Sequence, residues 1–184
     1  MSRLRIFAEQ TPDQAEFSSH EHALIAEQLV GVGIRFEKWT AATPVADDAT
    51  ADSVIAAYRS DIDRLLGERG YQAFDVISLH PEHPDREQLR AKFLNEHTHA
   101  EDEVRFFVAG SGLFTLHLGE RVYEVLCERG DLIGVPAGTR HWFDMGAAPR
   151  FTAIRIFTNP AGWVANFTGE PIAERFPRYQ PEAA

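Results

Sequence analysis

Two histidines and a glutamate in one short stretch have the types and the spacing of metal ligands. Residues 96–105 read Glu-His-Thr-His-Ala-Glu-Asp-Glu-Val-Arg. Alternate side chains of a β-strand share a face, so His97 and His99 are expected to point the same way. Glu103 shares that parity if the strand resumes past the acidic kink before it. Two imidazoles and a carboxylate that converge on one point can bind a divalent transition metal.

A fourth ligand is predicted further along the chain. Residues 130–143 read Gly-Asp-Leu-Ile-Gly-Val-Pro-Ala-Gly-Thr-Arg-His-Trp-Phe, so a strand-like run ends in a Pro-x-Gly turn and His141 follows it closely. Three imidazoles and one carboxylate suit Fe(II), Ni(II), Co(II) or Mn(II), and leave two positions open on an ion that prefers six ligands. Open positions favour a catalytic ion over a structural one, although a structural ion is the alternative.

Two further residues share the parity of these ligands. Arg105 would be costly to bury beside Glu103 unless it were paired. A salt bridge to Glu103 is one interpretation, and the one we favour is that Arg105 orients and balances an anionic, enediol-like substrate. Phe143 is expected to line the same cavity as His141, and plain core packing is its alternative role.

The other histidines are not expected to bind the ion. His20 and His22 lie in a predicted helix that begins at a capping box of Ser18 and Glu21 and carries apolar residues on one face. Two residues apart on a helix are separated by about 200°, so these two rings cannot share one ion. We expect both to lie on the surface.

Three more histidines have local explanations. His80 and His83 belong to a turn that contains two prolines, and we expect them to serve that turn. His117 has the alternation of a strand residue, and we expect a satisfied histidine in the interior of the β structure.

The ligands lie in a region whose pattern is all-β, with turns every eight to twelve residues, which indicates a sandwich or a barrel. Three helices are predicted upstream of this region. One begins at about residue 18, one at about residue 52, and one extends over residues 85–94. The predicted strands in the ligand region are Val104–Val108, Gly112–Leu118, Arg121–Glu128, Asp131–Val135, Arg140–Asp144 and Phe151–Phe157.

We therefore predict one domain over residues 1–184. Its parts are strands and peripheral helices in 1–91, a metal-binding barrel core in 92–157 and a C-terminal segment, 158–184, that packs on the barrel. The net charge of −10 argues against a nucleic-acid partner. The single cysteine, Cys127, fits a reducing compartment and is expected to be buried and inert. With no apolar run of about 20 residues and no signal peptide, we expect a cytoplasmic protein without a membrane partner.

The two ligand stretches resemble the two motifs of the cupin superfamily. The first reads H-x-H, three residues, E, six residues, G; the second reads G, five residues, P-x-G, two residues, H. Ala91 and Met145 stand where the family pattern has glycine and often asparagine, and neither is a ligand. This resemblance implies a mainly β fold, a cupin double-stranded β-helix or jelly-roll barrel, with a few peripheral helices.

The chain further resembles the acireductone dioxygenase family of methionine salvage, over nearly its whole length. The matching segments are 57–58, 70–71, 75–77, 92–94, 96–99, 101–106, 130–133, 135–138, 141–144, 154–157 and 162–165.

The resemblance implies a specific reaction. The substrate would be the acireductone 1,2-dihydroxy-5-(methylthio)pent-1-en-3-one, cleaved with O₂. With Fe(II) the products would be 4-methylthio-2-oxobutanoate and formate; with Ni(II) they would be 3-(methylthio)propanoate, formate and carbon monoxide. One ion per chain is implied, and we expect a monomer.

The resemblance also implies residue roles. His97, His99, Glu103 and His141 would be the ligands of the ion. Arg105 would generate and hold the substrate dianion. Of the remaining positions, Glu96 is linked to metal incorporation, Asp102 to transmitting local conformational change, and Phe143 and Trp163 to the wall of the substrate pocket.

Alternatives remain open within this fold. Another cupin dioxygenase or a sugar-phosphate isomerase is the rival enzyme, but an isomerase would want more basic residues near the site than Arg105 and Arg140. A small-molecule sensor is the rival outside enzymes, and it would usually be joined to a DNA-binding segment, which is not visible here.

Overall fold

A computed structural model describes residues 1–46, 48–68 and 70–180. In it the protein is mainly β. The strands are β1 Arg3–Ala8, β2 Ala15–Ser19, β3 Arg35–Lys38, β4 Ala73–Leu79, β5 His97–Thr98, β6 Glu103–Leu118, β7 Arg121–Glu128, β8 Asp131–Val135, β9 Arg140–Asp144, β10 Phe151–Phe157 and β11 Asn166–Phe167. The helices are α1 His22–Val30, α2 Ala51–Ala57, α3 Arg59–Glu68 and α4 Arg86–Phe93, with a short 3₁₀ turn at Pro171–Glu174.

The long strand β6 belongs to both layers of the fold. Its first half pairs with β8 and β10, which in turn pair with β3 and β4. Its second half pairs with β7 and β9, and that layer continues to β1 and β2 on one side and to β5 and β11 on the other. All of these pairs are antiparallel, and the sheet wraps around the core without closing.

A glycine allows β6 to turn from one layer to the other. Gly110 has φ +68°, in the region that favours glycine, and a Cβ at this position would overlap the carbonyl oxygen of Arg150. The two strands predicted at Val104–Val108 and Gly112–Leu118 are therefore one bent strand.

Hydrophobic side chains fill the space between the layers and cover both outer faces, which is why β6 is buried on nearly every residue. Between the layers lie residues such as Phe107, Phe114 and Ile133. One outer face is covered by Ile62 and Leu65 of α3 and by Tyr58, which lies between α2 and α3. The C-terminal segment covers the other, where Phe7, Val122 and Trp142 pack with Ile172 and Phe176.

The predicted capping box is wrong. Ser18 and Ser19 lie in β2, where Ser18 pairs with Arg5, and α1 begins at His22 after Glu21 without a side-chain cap. Pairing with β1 keeps this segment extended, which a local spacing rule cannot detect. Helix α1 ends at Val30, with Gly31 as its C-cap, and buries Ile25 and Leu29.

The single helix predicted from about residue 52 is two helices. α2 begins after Thr50, whose hydroxyl accepts a hydrogen bond from the Ser53 amide at 3.3 Å. The chain leaves helical geometry at Tyr58, with φ −112° and ψ 15°, where the buried ring packs on Phe106. The four residues 181–184 of the C-terminal segment lie outside the described residues.

Cys127 is a buried free thiol, as predicted, and burial holds its pKa well above the ordinary value. Among the described residues, none of the helices has both the length and the apolar character that spanning a membrane requires.

Candidate metal centre

Three strands bring the three histidines together. In the antiparallel ladder His97 of β5 stands opposite His141 of β9, and His141 stands opposite Leu116 of β6. His99 follows β5 at the same parity as His97. The ring centroids of the three imidazoles are 4.5 to 5.1 Å apart, and one ligand atom from each lies within 4.8 Å of the others. All three residues are at most 3% exposed.

Backbone carbonyls orient all three imidazole rings. The Nδ1 atoms of His97, His99 and His141 each lie 2.8 Å from a carbonyl oxygen, of Asn95, Val164 and Thr139 respectively. Because a carbonyl can only accept, each Nδ1 carries a proton, and in the neutral ring each Nε2 then has a lone pair. In known metal sites the same arrangement fixes the tautomer of the ligating histidine and leaves its other nitrogen free for the ion.

The Glu103 carboxylate completes the cluster from β6. Its Oε2 lies 3.1 Å from Nε2 of both His99 and His141, and its Oε1 accepts a hydrogen bond from Arg105 at 2.8 Å. Three imidazole lone pairs and a carboxylate thus face one point with no donor among them, so a cation must lie there or a ring must be protonated. This donor set fits a divalent transition ion.

The metal-free centre has strongly perturbed titrations. Burial, assisted by the neighbouring His141 ring, lowers the pKa of His97 to about 4. Burial also disfavours charge on His99, but the hydrogen bond and charge of Glu103 outweigh it and raise the pKa of His99. For Glu103 burial acts toward a higher pKa, yet Arg105 and the two imidazoles hold its pKa well below the ordinary range.

Arg105 lies beside the cluster in an aromatic box. The side chain is 5% exposed, and its Cζ stands 4.3 Å from the centroid of Phe143, 5.2 Å from Phe114 and 5.7 Å from Trp163. Burial lowers the pKa of Arg105, and the Glu103 carboxylate opposes that effect. The salt bridge to Glu103 is present, and the Nε–H of Arg105 has no hydrogen-bond partner in the described part of the chain. The guanidinium therefore has a donor left over.

Phe143 and Trp163 wall the same space. Phe143 is 2% exposed and packs on Phe114 at 4.7 Å between ring centroids. Trp163 stacks 6.2 Å from the His99 ring, and its Nε1–H donates to the carbonyl of Asp102 at 3.1 Å. Both rings contact Arg105, so aromatic surface lies directly beside the centre.

Asp102 and Glu96 face away from the three imidazoles. The Asp102 carboxylate accepts a hydrogen bond from the Ala137 amide at 2.9 Å, which ties it to the turn after β8. Glu96 is 1% exposed and lies behind β5, where Oε2 contacts Nδ1 of His117 at 2.6 Å. Neither carboxylate is one of the groups that surround the cluster.

The remaining histidines lie away from the centre. His20 contacts the Ser2 carbonyl, His22 stacks on Phe36, and His80 and His83 form contacts within their turn. His117 is buried and paired, as expected, but its partner Glu96 was not predicted. Nothing in the local sequence pattern links these two positions, which are 21 residues apart.

Comparison with known proteins identifies the family. The model of the ARD/ARD' family matches residues 3–165. The acireductone dioxygenase of Xylella fastidiosa strain 9a5c is 59% identical over 182 residues, covering 99% of this chain and 97% of the relative. That of Stenotrophomonas maltophilia strain R551-3 is 56% identical over 184 residues, all of both chains. The chain belongs to the acireductone dioxygenase family.

A solved structure of the family agrees with this fold. It is an acireductone dioxygenase from Bacillus anthracis with a cadmium ion in its active centre, 31% identical, with a TM-score of 0.78 over 91% of this chain and 98% of that one. The cupin fold with peripheral helices is therefore confirmed. As a member of the acireductone dioxygenase family, the chain is a metal-dependent oxidoreductase that acts on an acireductone with O₂.

Proposed function

We propose that His97, His99, Glu103 and His141 hold one Fe(II) or Ni(II) ion per chain. The observation that carries this proposal is the set of three Nε2 lone pairs and one carboxylate turned toward a common point without a donor. An ion bound there would have two open coordination positions. Through them it would chelate a substrate by two adjacent oxygens and polarise it.

Arg105 would bind the substrate's negative charge. Its guanidinium is fixed by Glu103 at one nitrogen, and the partnerless Nε–H is a donor available to a substrate oxygen. The rings of Phe143 and Trp163 lie against the guanidinium and exclude water from it. A hydrogen bond to an anion is therefore stronger there than in solvent. Arg105 thereby favours the doubly deprotonated substrate and orients it.

The products would depend on the ion. With iron the acireductone 1,2-dihydroxy-5-(methylthio)pent-1-en-3-one would give 4-methylthio-2-oxobutanoate and formate. With nickel it would give 3-(methylthio)propanoate, formate and carbon monoxide. Each product set accounts for all atoms of one substrate and one O₂, so neither route needs another oxidant.

Asp102 and Glu96 would act on the centre from outside it. Asp102 joins the turn after β8 to Trp163, through its carboxylate on Ala137 and its carbonyl on the indole. A shift of that turn would therefore move a wall of the pocket, which supports a role in transmitting local change. Glu96 directly precedes the ligand strand, which supports a role in metal incorporation.

We also propose that residues 1–184 work as one cytoplasmic domain and as a monomer. The contacts of the C-terminal segment with Phe7 of β1 and Trp142 of β9, two strands far apart in the sequence, support one domain. The buried free thiol Cys127 supports a reducing compartment. The partners would be the small substrate and O₂, without nucleic acid or membrane.

The test is turnover by protein with a defined metal. The chain is stripped with a chelator and reloaded with Fe(II) or Ni(II), and oxygen consumption with acireductone is recorded together with the products. We expect turnover with both ions and carbon monoxide with nickel only. His141→Ala should lose most bound metal, whereas the control His22→Ala should keep it. Turnover without metal, or full metal content in His141→Ala, would contradict the proposal.

A further inference from the structure

A buried polar pair lies on the opposite side of the ligand strand from the metal centre. His117 of β6 is 6% exposed and Glu96 is 1% exposed. Nδ1 of His117 lies 2.6 Å from Oε2 of Glu96, so the ring and the carboxylate are joined by a short hydrogen bond. A carboxylate is rarely buried so completely without a specific partner, since its desolvation costs more than packing returns.

The adjacent strand β5, which carries His97, has few backbone pairs to hold it in place. β5 has only two residues, and its ladder consists of His97 opposite His141 and two pairs with β11. It nevertheless carries His97 and leads directly into His99. Glu96 immediately precedes it, so its side chain points away from the ion by strand alternation and reaches back into the body of the fold.

A second contact holds the same carboxylate from the other side. The Thr168 hydroxyl donates to Oε1 of Glu96 at 2.9 Å, and the Thr168 amide donates to the Glu96 carbonyl at 3.1 Å. Thr168 follows β11, so Glu96 ties β5 both to the long strand β6 and to the C-terminal segment. Nε2 of His117 lies 3.4 Å from the Glu9 carboxylate at the other end of the ring.

We propose that His117 is a positioning residue for the metal centre. Through Glu96 it holds β5 at the depth and angle at which His97 and His99 reach the ion, and Thr168 is the second arm of the same clamp. This inference rests on the proposed function, in which His97 and His99 are ligands. His117 itself touches neither the substrate nor the ion.

The test measures metal affinity rather than turnover. Ni(II) binding by metal-stripped protein is measured in competition with a chelator, and the visible spectrum of Co(II)-loaded protein reports the ligand geometry. His117→Phe keeps a ring of similar size but has no donor for Glu96. We expect Ni(II) affinity to fall about 10- to 100-fold, as for other residues that orient metal ligands, and the Co(II) spectrum to change.

A conservative variant separates positioning from packing. His117→Asn places an amide N–H near the position of Nδ1, so it should recover most of the affinity that His117→Phe loses. Thr168→Val removes the other arm at a partly exposed site and should lower the affinity several-fold. It also decides the matter if His117→Phe fails to fold. The matched control is His22→Phe, since His22 is a half-buried histidine stacked on Phe36 and lies 4.0 Å from Asp131; it should bind Ni(II) like the parent.

The inference would be overturned if His117→Phe, or Thr168→Val where the first variant does not fold, bound Ni(II) within twofold of the parent with an unchanged Co(II) spectrum. The pair would then serve only folding. His97→Ala distinguishes this failure from a failure of the proposed function. If His97→Ala loses Ni(II) while the clamp variants keep it, only the inference is wrong; if His97→Ala binds like the parent, the metal centre and the inference both fail.

Discussion

At the scale of single residues, Arg105 combines two roles that were set against each other in the sequence. It neutralises Glu103 at 2.8 Å, and its Nε–H lacks a partner among the described residues. Three aromatic rings within 5.7 Å stabilise a guanidinium through their π faces. A buried cation with a donor to spare, beside a metal centre, is suited to an anionic substrate.

Replacing Arg105 tests the interpretation that it binds an anionic substrate. In metal-replete Arg105→Ala we expect near-normal metal content, because the four proposed ligands remain, and a kcat about 10- to 1000-fold lower, as for other lost donors at developing charge. Each tenfold loss corresponds to about 1.4 kcal/mol of transition-state stabilisation. Arg105→Lys should recover only part of the activity, because an ammonium lacks the planar donor geometry. The measurement is oxygen consumption with acireductone.

The control for this experiment is Arg86→Ala, because Arg86 lies on α4 and its side chain contacts Glu87 at 3.4 Å. It should turn over like the parent. If Arg105→Ala also kept parental turnover and merely unfolded more easily, Arg105 would be a structural ion-pair residue.

At the scale of elements, β6 is the strand on which the centre depends. Its first half carries Glu103 and Arg105, and its second half pairs with β9 so that Leu116 stands opposite His141. Both halves must meet at a fixed angle for the carboxylate and the imidazole to converge. Gly110 allows that angle: it has φ +68°, and backbone atoms of Arg150 and Phe151 lie where a Cβ would otherwise stand.

We expect Gly110→Ala to destabilise the protein by about 3 kcal/mol or more, since it combines left-handed strain with an overlap that backbone would have to relieve. Gly119→Ala is the matched control. Gly119 has nearly the same φ, +64°, but nothing lies within 4 Å of its added Cβ. It should cost only about 1 kcal/mol from the backbone conformation itself. Urea unfolding of the metal-free variants gives both values, and equal losses would show that the close approach at Gly110 does not matter.

At the scale of the whole molecule, the metal centre links the stability of the fold to pH. Burial lowers the pKa of His97 to about 4 in the metal-free chain, whereas the unfolded chain has the ordinary value near 6.5. As pH falls between these values the unfolded state takes up the proton first, so the His97 contribution to stability is present above about pH 6.5 and is lost toward pH 4. His99 has the opposite sign: its pKa is raised, so its contribution is present below the ordinary value and lost as pH rises through the folded pKa.

A variant isolates the His97 contribution. We expect metal-free His97→Asn to lose less free energy of unfolding than the metal-free parent when the pH is lowered from about 7 to about 5, because it lacks the group that resists protonation in the folded state. Urea unfolding at both pH values, in the presence of a chelator, gives the comparison. Equal losses in the two proteins would mean that His97 titrates normally in the fold.

Features that depend on local pattern could be predicted from the amino-acid sequence. Alternation put His97 and His99 on one face because successive Cβ atoms of a strand point to opposite sides. Glycine and proline turns predicted β7, β8, β9 and β10 with the bounds that the structure has, since these residues end extended runs wherever they occur. The two cupin motifs and the acireductone dioxygenase resemblance indicated the family that the comparisons then confirmed.

Features that depend on partners far away in the chain could not be predicted from local pattern. Pairing with β1 made Ser18 part of a strand instead of a helix cap. The carbonyls of Asn95, Val164 and Thr139 orient the three imidazole rings so that their Nε2 atoms face one another. Glu96 is hydrogen-bonded to His117, 21 residues further along the chain. These contacts lie outside the reach of local spacing, because which strands become neighbours is settled by burying both faces of the sheet at once.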